Sequence, residues 1–259
     1  LLAWLLGEPW LRRRRRARLG AQPLPDRWRR ELHRWPLYAR VPAALRPRLD
    51  ILVAIFVHEK EFVGCGGLEI TDAMRVGIAA QACLLVLNRD LHVFDALRSI
   101  LVYPDEFVVE ERFEADGGVV VEGERVLSGQ SWDTSRVILS WRDVVESGDG
   151  YNVVLHEFAH YLDEEDGGAN GVPLLASRRD HERWAQVMQR AYDELAAKSG
   201  AGADTLLDPY GAEHESQPFA VATETFFELP RELAAEDPEL YAELVRFYGV
   251  DPATWPAIA

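Results

Sequence analysis

The stretch VVLHEFAHYLD, at residues 153–163, constrains the fold more than any other part of the sequence. Its apolar residues Val153, Val154, Phe158 and Leu162 recur at helical spacing, so the pattern predicts an amphipathic helix with a buried face. The polar residues between them then lie together on the opposite face, because residues four apart in a helix are neighbours. We expect this helix to pack beneath a cleft.

The polar residues of this helix form the pattern H-E-x-x-H, with His156, Glu157 and His160. Two imidazoles at this spacing can direct one ring nitrogen each at a common zinc ion. Zinc lowers the pKa of water, and Glu157 follows the first ligand, where it can accept the proton as a general base. The pattern therefore predicts a hydrolytic zinc site. The run RVILSW shortly upstream predicts a strand, and a peptide can add to a sheet edge in extended form.

A catalytic zinc site needs a third protein ligand, which the motif itself does not identify. Asp166 is one candidate, because it follows His160 at the spacing of H-x-x-G-x-x-[H/D]. In that pattern a glycine turns the chain, whereas this sequence has Asp163 there, which enters a left-handed conformation less readily.

The segment at 208–230, DPYGAEHESQPFAVATETFFELP, is the other source of a third ligand. Glu215, Gln217 and Glu224 are all plausible by position. Pro218 suits the first turn of a helix and places Gln217 near its N-cap. Gln217 and Glu224 then share a helix face but lie about 10 Å apart along the axis, so only one of them can contact the ion directly.

Composition and charge argue against one class of function, the binding of nucleic acid. The chain has 259 residues, of which 48% are apolar and 27% charged, as in a globular protein with one main domain. Its net charge is −15, yet 13 of its 28 Lys and Arg residues lie within residues 1–48. The rest is therefore strongly acidic, and we expect no direct binding of nucleic acid, which requires clustered basic side chains.

The N-terminal sequence LLAWLLGEPWLRRRRRARLG predicts a basic arm at residues 1–24. Its apolar start is too short to span a bilayer, so we expect no transmembrane segment, and at most a weak peripheral contact of the arm with an acidic lipid surface or partner. Cys65 and Cys83 are too few for a disulfide framework and lie among apolar residues. This indicates a reducing compartment, the cytoplasm.

The remaining patterns predict an α+β fold, with a small, mainly antiparallel sheet flanked by helices. VGCGGLEI, at 63–70, predicts a glycine turn leading into a short strand, and several β-branched runs between residues 98 and 141 predict the sheet. Thr71 predicts the N-cap of a buried helix. Further helices are predicted at 26–35, 42–62, 152–163, 178–198, 217–228 and 237–247.

Several of these stretches together resemble the Mlc titration factor A family of zinc metallopeptidases. They are NVVLHEFAHYLD, GCGGLEITDAMRVGIAAQACLLVLNR, LRSILVYPDEFVV, VILSW and DPYGAE followed by PFAVATETFFELP. The resemblance runs in unbroken order over roughly residues 25–248, which makes it far more specific than the five-residue motif.

The resemblance implies a zincin-like, gluzincin-type fold related in design to the catalytic domain of the anthrax lethal factor protease. It implies one such domain at 25–248, followed by a C-terminal tail at 249–259. It also implies a zinc-dependent peptidase with aminopeptidase-type activity on short peptides or amino-acid amides. Enteric members of the family bind the glucose repressor Mlc, so a sugar-responsive transcriptional repressor is the implied protein partner.

Carried over by position, the resemblance implies that His156 and His160 bind zinc, that Glu157 is the general base, and that Tyr210 assists at the metal. The family pattern has a glutamate ligand seven residues after the tyrosine, where this sequence has Gln217. A neutral oxygen is a poorer zinc ligand than a carboxylate. Glu224 also belongs to the family pattern, as an alternative ligand or as a residue supporting the ligands. The alternative function is a repressor-binding protein with a weakened metal site.

Overall fold

The computed structural model describes the backbone of residues 2–105, 107–115, 119–127, 129–133, 135–164, 171–214 and 216–257. Side chains are described for residues 9–105, 135–164, 171–214 and 216–257. The helices are α1 Leu2–Gly20, α2 Asp26–Leu32, α3 Pro36–Arg40, α4 Arg46–Glu59, α5 Asp72–Leu84, α6 Trp141–Glu146, α7 Val153–Asp163, α8 Arg178–Gly200, α9 Gln217–Glu228, α10 Pro230–Glu236 and α11 Pro238–Tyr248. The strands are β1 Glu61–Gly64, β2 Ser99–Tyr103, β3 Phe107–Ala115, β4 Val119–Leu127, β5 Gly129–Asp133 and β6 Arg136–Ser140.

The predicted helices are confirmed, most closely where a local signal marks their start. Thr71 caps α5, because its hydroxyl accepts a hydrogen bond from the Met74 amide. Helix α9 has the predicted bounds, with Pro218 in its first turn. None of the described helices has the length and apolar content that a membrane span requires.

The expectation of a mainly antiparallel sheet is wrong. The main sheet has the strand order β1-β2-β6-β5, and β1, β2 and β6 run parallel to one another. The remaining strand described in this sheet, β5, pairs antiparallel with β6. Strands β3 and β4 form a separate antiparallel ladder. The α+β class stands, but the arrangement of the sheet differs from the prediction.

Long connections explain the parallel pairing. Strand β1 precedes the glycine turn that was expected to lead into a strand, and α5 then connects β1 to β2. Parallel neighbours need a crossover of this kind, whereas short turns produce antiparallel pairs. Likewise β3, β4 and β5 intervene between β2 and β6, which lets these two strands pair in the same direction. The run RVILS is therefore an inner strand, and β5 lies at the sheet edge beside it.

The N-terminal basic segment forms α1 and packs on α4. Arg16 links the two helices, because its guanidinium donates to Glu59 at 2.7 Å and to Asp95 at 2.5 Å. Burial raises the pKa of Glu59, but the hydrogen bond and charge of Arg16 outweigh this and hold that pKa below its ordinary value. Part of the basic run is thus neutralised within the chain.

An aromatic cluster fixes the position of α7. The ring of Phe158 lies 5.8 Å from that of Phe56 on α4 and 5.2 Å from that of Phe94, measured between centroids. All three side chains are fully buried. Helix α7 also packs on α5, α9, β5 and β6. Such tight packing leaves little freedom for the polar face of α7 to move.

Candidate metal centre

Asn152 is the N-cap of helix α7 and so fixes where the helix that carries the motif starts. The side-chain oxygen of Asn152 accepts from the Leu155 amide at 3.0 Å and so caps the helix. His156 and His160 follow on successive turns, and their ring centroids lie 4.8 Å apart. The two imidazoles therefore face the same region, as their spacing predicts.

Helix α9 runs antiparallel to α7 and contributes the remaining polar groups. Its first residue, Gln217, lies beside His160, and Glu224, two turns later, lies beside His156. Glu228, at the end of α9, contacts Asn152 at the start of α7. The two helices are therefore joined by side-chain contacts along their whole shared length.

Three donor atoms converge where the motif and α9 meet. His160 Nε2 lies 3.1 Å from His156 Nε2 and 3.3 Å from Gln217 Oε1. A tetrahedral zinc site with bonds of about 2.0–2.1 Å has ligand atoms separated by about 3.3 Å. The two separations from His160 Nε2 are thus close to the spacing of neighbouring ligand atoms in a zinc tetrahedron. Among the described residues, no group of three or more His, Cys, Asp or Glu side chains could hold a metal ion. The third donor atom at this site belongs to an amide side chain, Gln217.

Glu224 orients His156 from behind. Its Oε1 lies 2.7 Å from His156 Nδ1, and its Oε2 accepts a hydrogen bond from the backbone N–H of Asn152. A proton on Nδ1 leaves Nε2 with the lone pair that a metal ligand needs. Burial lowers the pKa of His156, but the charge and hydrogen bond of Glu224 outweigh it and raise that pKa above its ordinary value.

Glu157 and His160 titrate under the influence of burial. Glu157 is 5% exposed, and burial raises the pKa of its carboxyl to about 7. A carboxyl with such a pKa can both accept and release a proton near neutral pH. Burial also lowers the pKa of His160 to about 3, with a smaller contribution from His156, so this imidazole is neutral at ordinary pH.

Tyr210 lies at the edge of the same site on a short 3₁₀ turn, Pro209–Ala212. Its ring centroid is 6.0 Å from that of His156, and the side chain is 36% exposed. Asp208 caps the turn by accepting from the Tyr210 amide at 2.9 Å. Gly211 lets the turn pack closely against Leu195 on α8, since an added Cβ would lie 3.0 Å from that side chain. The phenol is thus partly open to solvent beside the converging donors.

The structure brings together His156, Glu157, His160, Tyr210 and Gln217, the residues singled out in the sequence. The alternative ligand Glu224 is also close, but both its oxygens are engaged by His156 and the Asn152 amide.

The candidates Asp166 and Glu215 lie outside the described residues. Asp163 is the last residue of α7 and accepts from the Gly171 amide at 2.7 Å. It is helical, so it does not form the left-handed turn that the Asp166 alternative requires.

Sequence reasoning missed a buried polar network behind the site. Asn152 Nδ2 donates to Gln81 Oε1 at 2.6 Å and to Glu228 Oε1 at 2.7 Å. Asn152 and Gln81 are each 1% exposed. Two signals could have revealed the network: an Asn directly before the motif helix, which is a preferred N-cap, and a single Gln within the apolar helix α5.

Comparison with known proteins shows the family of this chain. A family model described as glucose-regulated metallo-peptidase M90 matches residues 10–249. An uncharacterized protein of Synechocystis sp. is 40% identical over 97% of this chain and 94% of its own length. Proteins named Mlc titration factor A from Pectobacterium atrosepticum and Yersinia pestis are 37% and 35% identical, over 84% of this chain and over 83% and 82% of their own lengths. The resemblance inferred from the motifs is confirmed.

We expect Asn152→Asp to destabilise the fold at neutral pH by about 2–4 kcal/mol, because it removes a buried donor and adds a carboxylate facing Glu228. The cap on α7 survives, since Asp is an equally good N-cap. The loss should shrink as the pH falls, because neighbouring carboxylates raise the pKa of the new carboxyl, and such a group destabilises only above its ordinary pKa. Urea unfolding at several pH values measures this.

The matched control is Asn88→Asp, which removes an amide donor to the Gly249 carbonyl at the exposed surface. It should change the free energy of unfolding by less than about 0.5 kcal/mol. Equal losses in the two variants would show that the buried network has no special importance.

Proposed function

Because the chain belongs to the glucose-regulated metallo-peptidase M90 family, we propose that it is a zinc-dependent peptidase with aminopeptidase-type activity on short peptides or amino-acid amides. The observation that carries this proposal is the convergence of His156 Nε2, His160 Nε2 and Gln217 Oε1, with separations of 3.1 and 3.3 Å. We assign these three atoms as the zinc ligands. When bound, zinc acts as a Lewis acid toward a carbonyl group and promotes deprotonation of water.

Glu157 is the proton-transferring group in this proposal. Its position beside His156, its burial and its raised pKa suit a base that accepts a proton from water and passes it to the leaving amine. Tyr210 is the electrophilic partner, since a phenol at the site wall can donate a hydrogen bond to the oxyanion that develops on the scissile carbonyl. Glu224 holds the His156 ring in the orientation that ligation needs.

The substrate backbone has a place to dock beside these groups. Strand β5 lies at the sheet edge and contacts α7. A short peptide added to this edge in extended form would place its carbonyl groups near the polar face of α7. Cys65 and Cys83 are both free thiols, which supports a cytoplasmic location.

We expect Glu157→Gln to lower the rate of amino-acid p-nitroanilide hydrolysis by about 10²–10⁴-fold, because the general base is lost. Zinc content should remain at one ion per chain, since Glu157 is not a ligand. Chelation should abolish wild-type activity, and zinc should restore it. Glu182→Gln, on the exposed face of α8, is the matched control and should leave activity unchanged. Activity indifferent to both chelator and Glu157→Gln would rule out the proposal.

Gln217→Glu should tighten zinc binding by about tenfold or more, because a carboxylate offsets the charge of the ion and an amide does not. Competition with a chromogenic chelator measures the affinity. The control is Gln189→Glu, which makes the same change of charge on the exposed surface of α8. If both variants shift the affinity equally, the effect is one of overall charge and Gln217 is not a ligand.

A second function is suggested by Gln217, which weakens the site, and by the relatives named Mlc titration factor A. In this alternative the chain binds and titrates a sugar-responsive transcriptional repressor of the Mlc type. The chain has a net charge of −15, so its acidic surface would contact the repressor protein and not the DNA to which a repressor binds.

The repressor-binding function predicts a complex that does not depend on zinc chemistry. Size-exclusion chromatography with a purified Mlc-type repressor should show the same complex for wild type and for Glu157→Gln. No complex at micromolar concentrations of both proteins would exclude this function.

A further inference from the structure

A cavity lies beside Asn152, the residue that caps the motif helix. Its volume is about 440 Å³, within the range of small-molecule sites. It is bounded by α2, α3, α5 and α6, and by the last residue of α9. None of the proposed ligands, nor Glu157 or Tyr210, lines it. The cavity is therefore a separate site.

Two tryptophans form an aromatic wall of this cavity. The rings of Trp35 and Trp141 meet edge to face with centroids 6.1 Å apart. Trp35 lies directly on α5 at Gly77, where an added Cβ would come within 2.3 Å of its ring. Any larger side chain at position 77 would collide with this ring, so the glycine allows the indole to contact the helix directly. The wall is thus a fixed, largely apolar surface.

The floor of the cavity is polar and offers acceptors. Asn152 and Gln81 line it, and both Nδ2 hydrogens of Asn152 are used by Gln81 and Glu228. The carboxylate of Glu228 therefore supplies the negative charge that a ligand in the cavity would contact. Arg34 at the rim pairs with Glu31 at 3.0 Å, so the cation that lines the cavity is already neutralised.

Glu228 lacks a salt bridge among the described residues. Burial raises the pKa of its carboxyl, opposed by the Asn152 hydrogen bond and the charge of Arg40. Arg40 itself donates to the carbonyls of Phe227 and Glu228, not to the carboxylate. A partly buried carboxylate without an ion-pair partner is stabilised by a bound cation.

We propose that this cavity binds a small organic cation, a primary amine carried on an aromatic or apolar body. The ammonium group pairs with Glu228, and the body packs against Trp35 and Trp141. The faces of these indoles attract a cation as well as an apolar group, so both parts of the ligand are matched. The inference goes beyond the proposed peptidase function, because the cavity and the metal centre share no residue that contacts a ligand.

Calorimetric titration of the full chain with 2-phenylethylamine tests the proposal, with 3-phenylpropionate as a ligand of similar shape and opposite charge. A chelator is present, because amines also bind zinc. We expect the amine to bind at least about tenfold more tightly than the acid, a difference of about 1.4 kcal/mol. Equal binding, or binding of the amine only when zinc is loaded, would overturn the proposal. Binding with chelator present is also independent of whether the chain is a peptidase.

Two variants locate the amine. Glu228→Gln keeps an acceptor for Asn152 but removes the charge, and should abolish the preference for the amine. Val145→Arg adds a cation at a 58% exposed position on the cavity wall and should weaken amine binding without disturbing the core. Glu232→Gln, on the exposed surface of α10, is the control and should bind like wild type. Amine binding unchanged in Val145→Arg would overturn the assignment even if Glu228→Gln failed to fold.

Discussion

The carboxylate of Glu224 contacts the His156 ring and the backbone N–H of Asn152, and the rest of the site depends on this interaction. This one carboxylate joins the middle of α9 to the first turn of α7, and so fixes the position of the two helices relative to each other along their axes. That position in turn puts Gln217 beside His160. A shift of α9 by one residue would turn Gln217 away from the histidines and leave Glu224 buried without partners, which is costly in a protein interior. The geometry of the proposed ligands and the packing of the two helices therefore depend on the same contacts.

Buried charge limits what this region can contain. Glu157, Glu224 and Glu228 lie on or between two adjacent helices, and like charges in a poorly solvated place oppose one another. A glutamate at position 217 would add a fourth carboxylate, whereas Gln217 contributes a donor oxygen without charge. Gln217 therefore adds nothing to this repulsion, and its amide attracts a cation less strongly than a carboxylate would. The interlocked rings of Phe56, Phe94 and Phe158 supply the rigid apolar support that such a polar site requires.

The helices were predictable because their signals are local, whereas the strand pairing in the sheet was not because it depends on distant residues. Thr71 and Pro218 mark helix starts through contacts within a few residues, so their sequence neighbourhood is sufficient. The direction in which strands pair depends on which distant strand becomes a neighbour. Strand β1 pairs with β2 across the whole of α5, and β2 pairs with β6 across the β3–β4 hairpin. Short β-branched runs look the same in either arrangement, so the pattern favoured hairpins throughout.

The sequence alone was enough to propose the type of chemistry, because one helix brings His156, Glu157 and His160 together without any other part of the fold. It also identified the family, through several stretches that resemble the family in unbroken order. Only the tertiary structure decided which oxygen of α9 faces the histidines, since Gln217 is 57 residues from His160 and Glu224 is 68 from His156. The same holds for Asn152, Gln81 and Glu228. Their contacts exist only because packing of apolar faces brings α5, α7 and α9 together, and no local pattern encodes that approach.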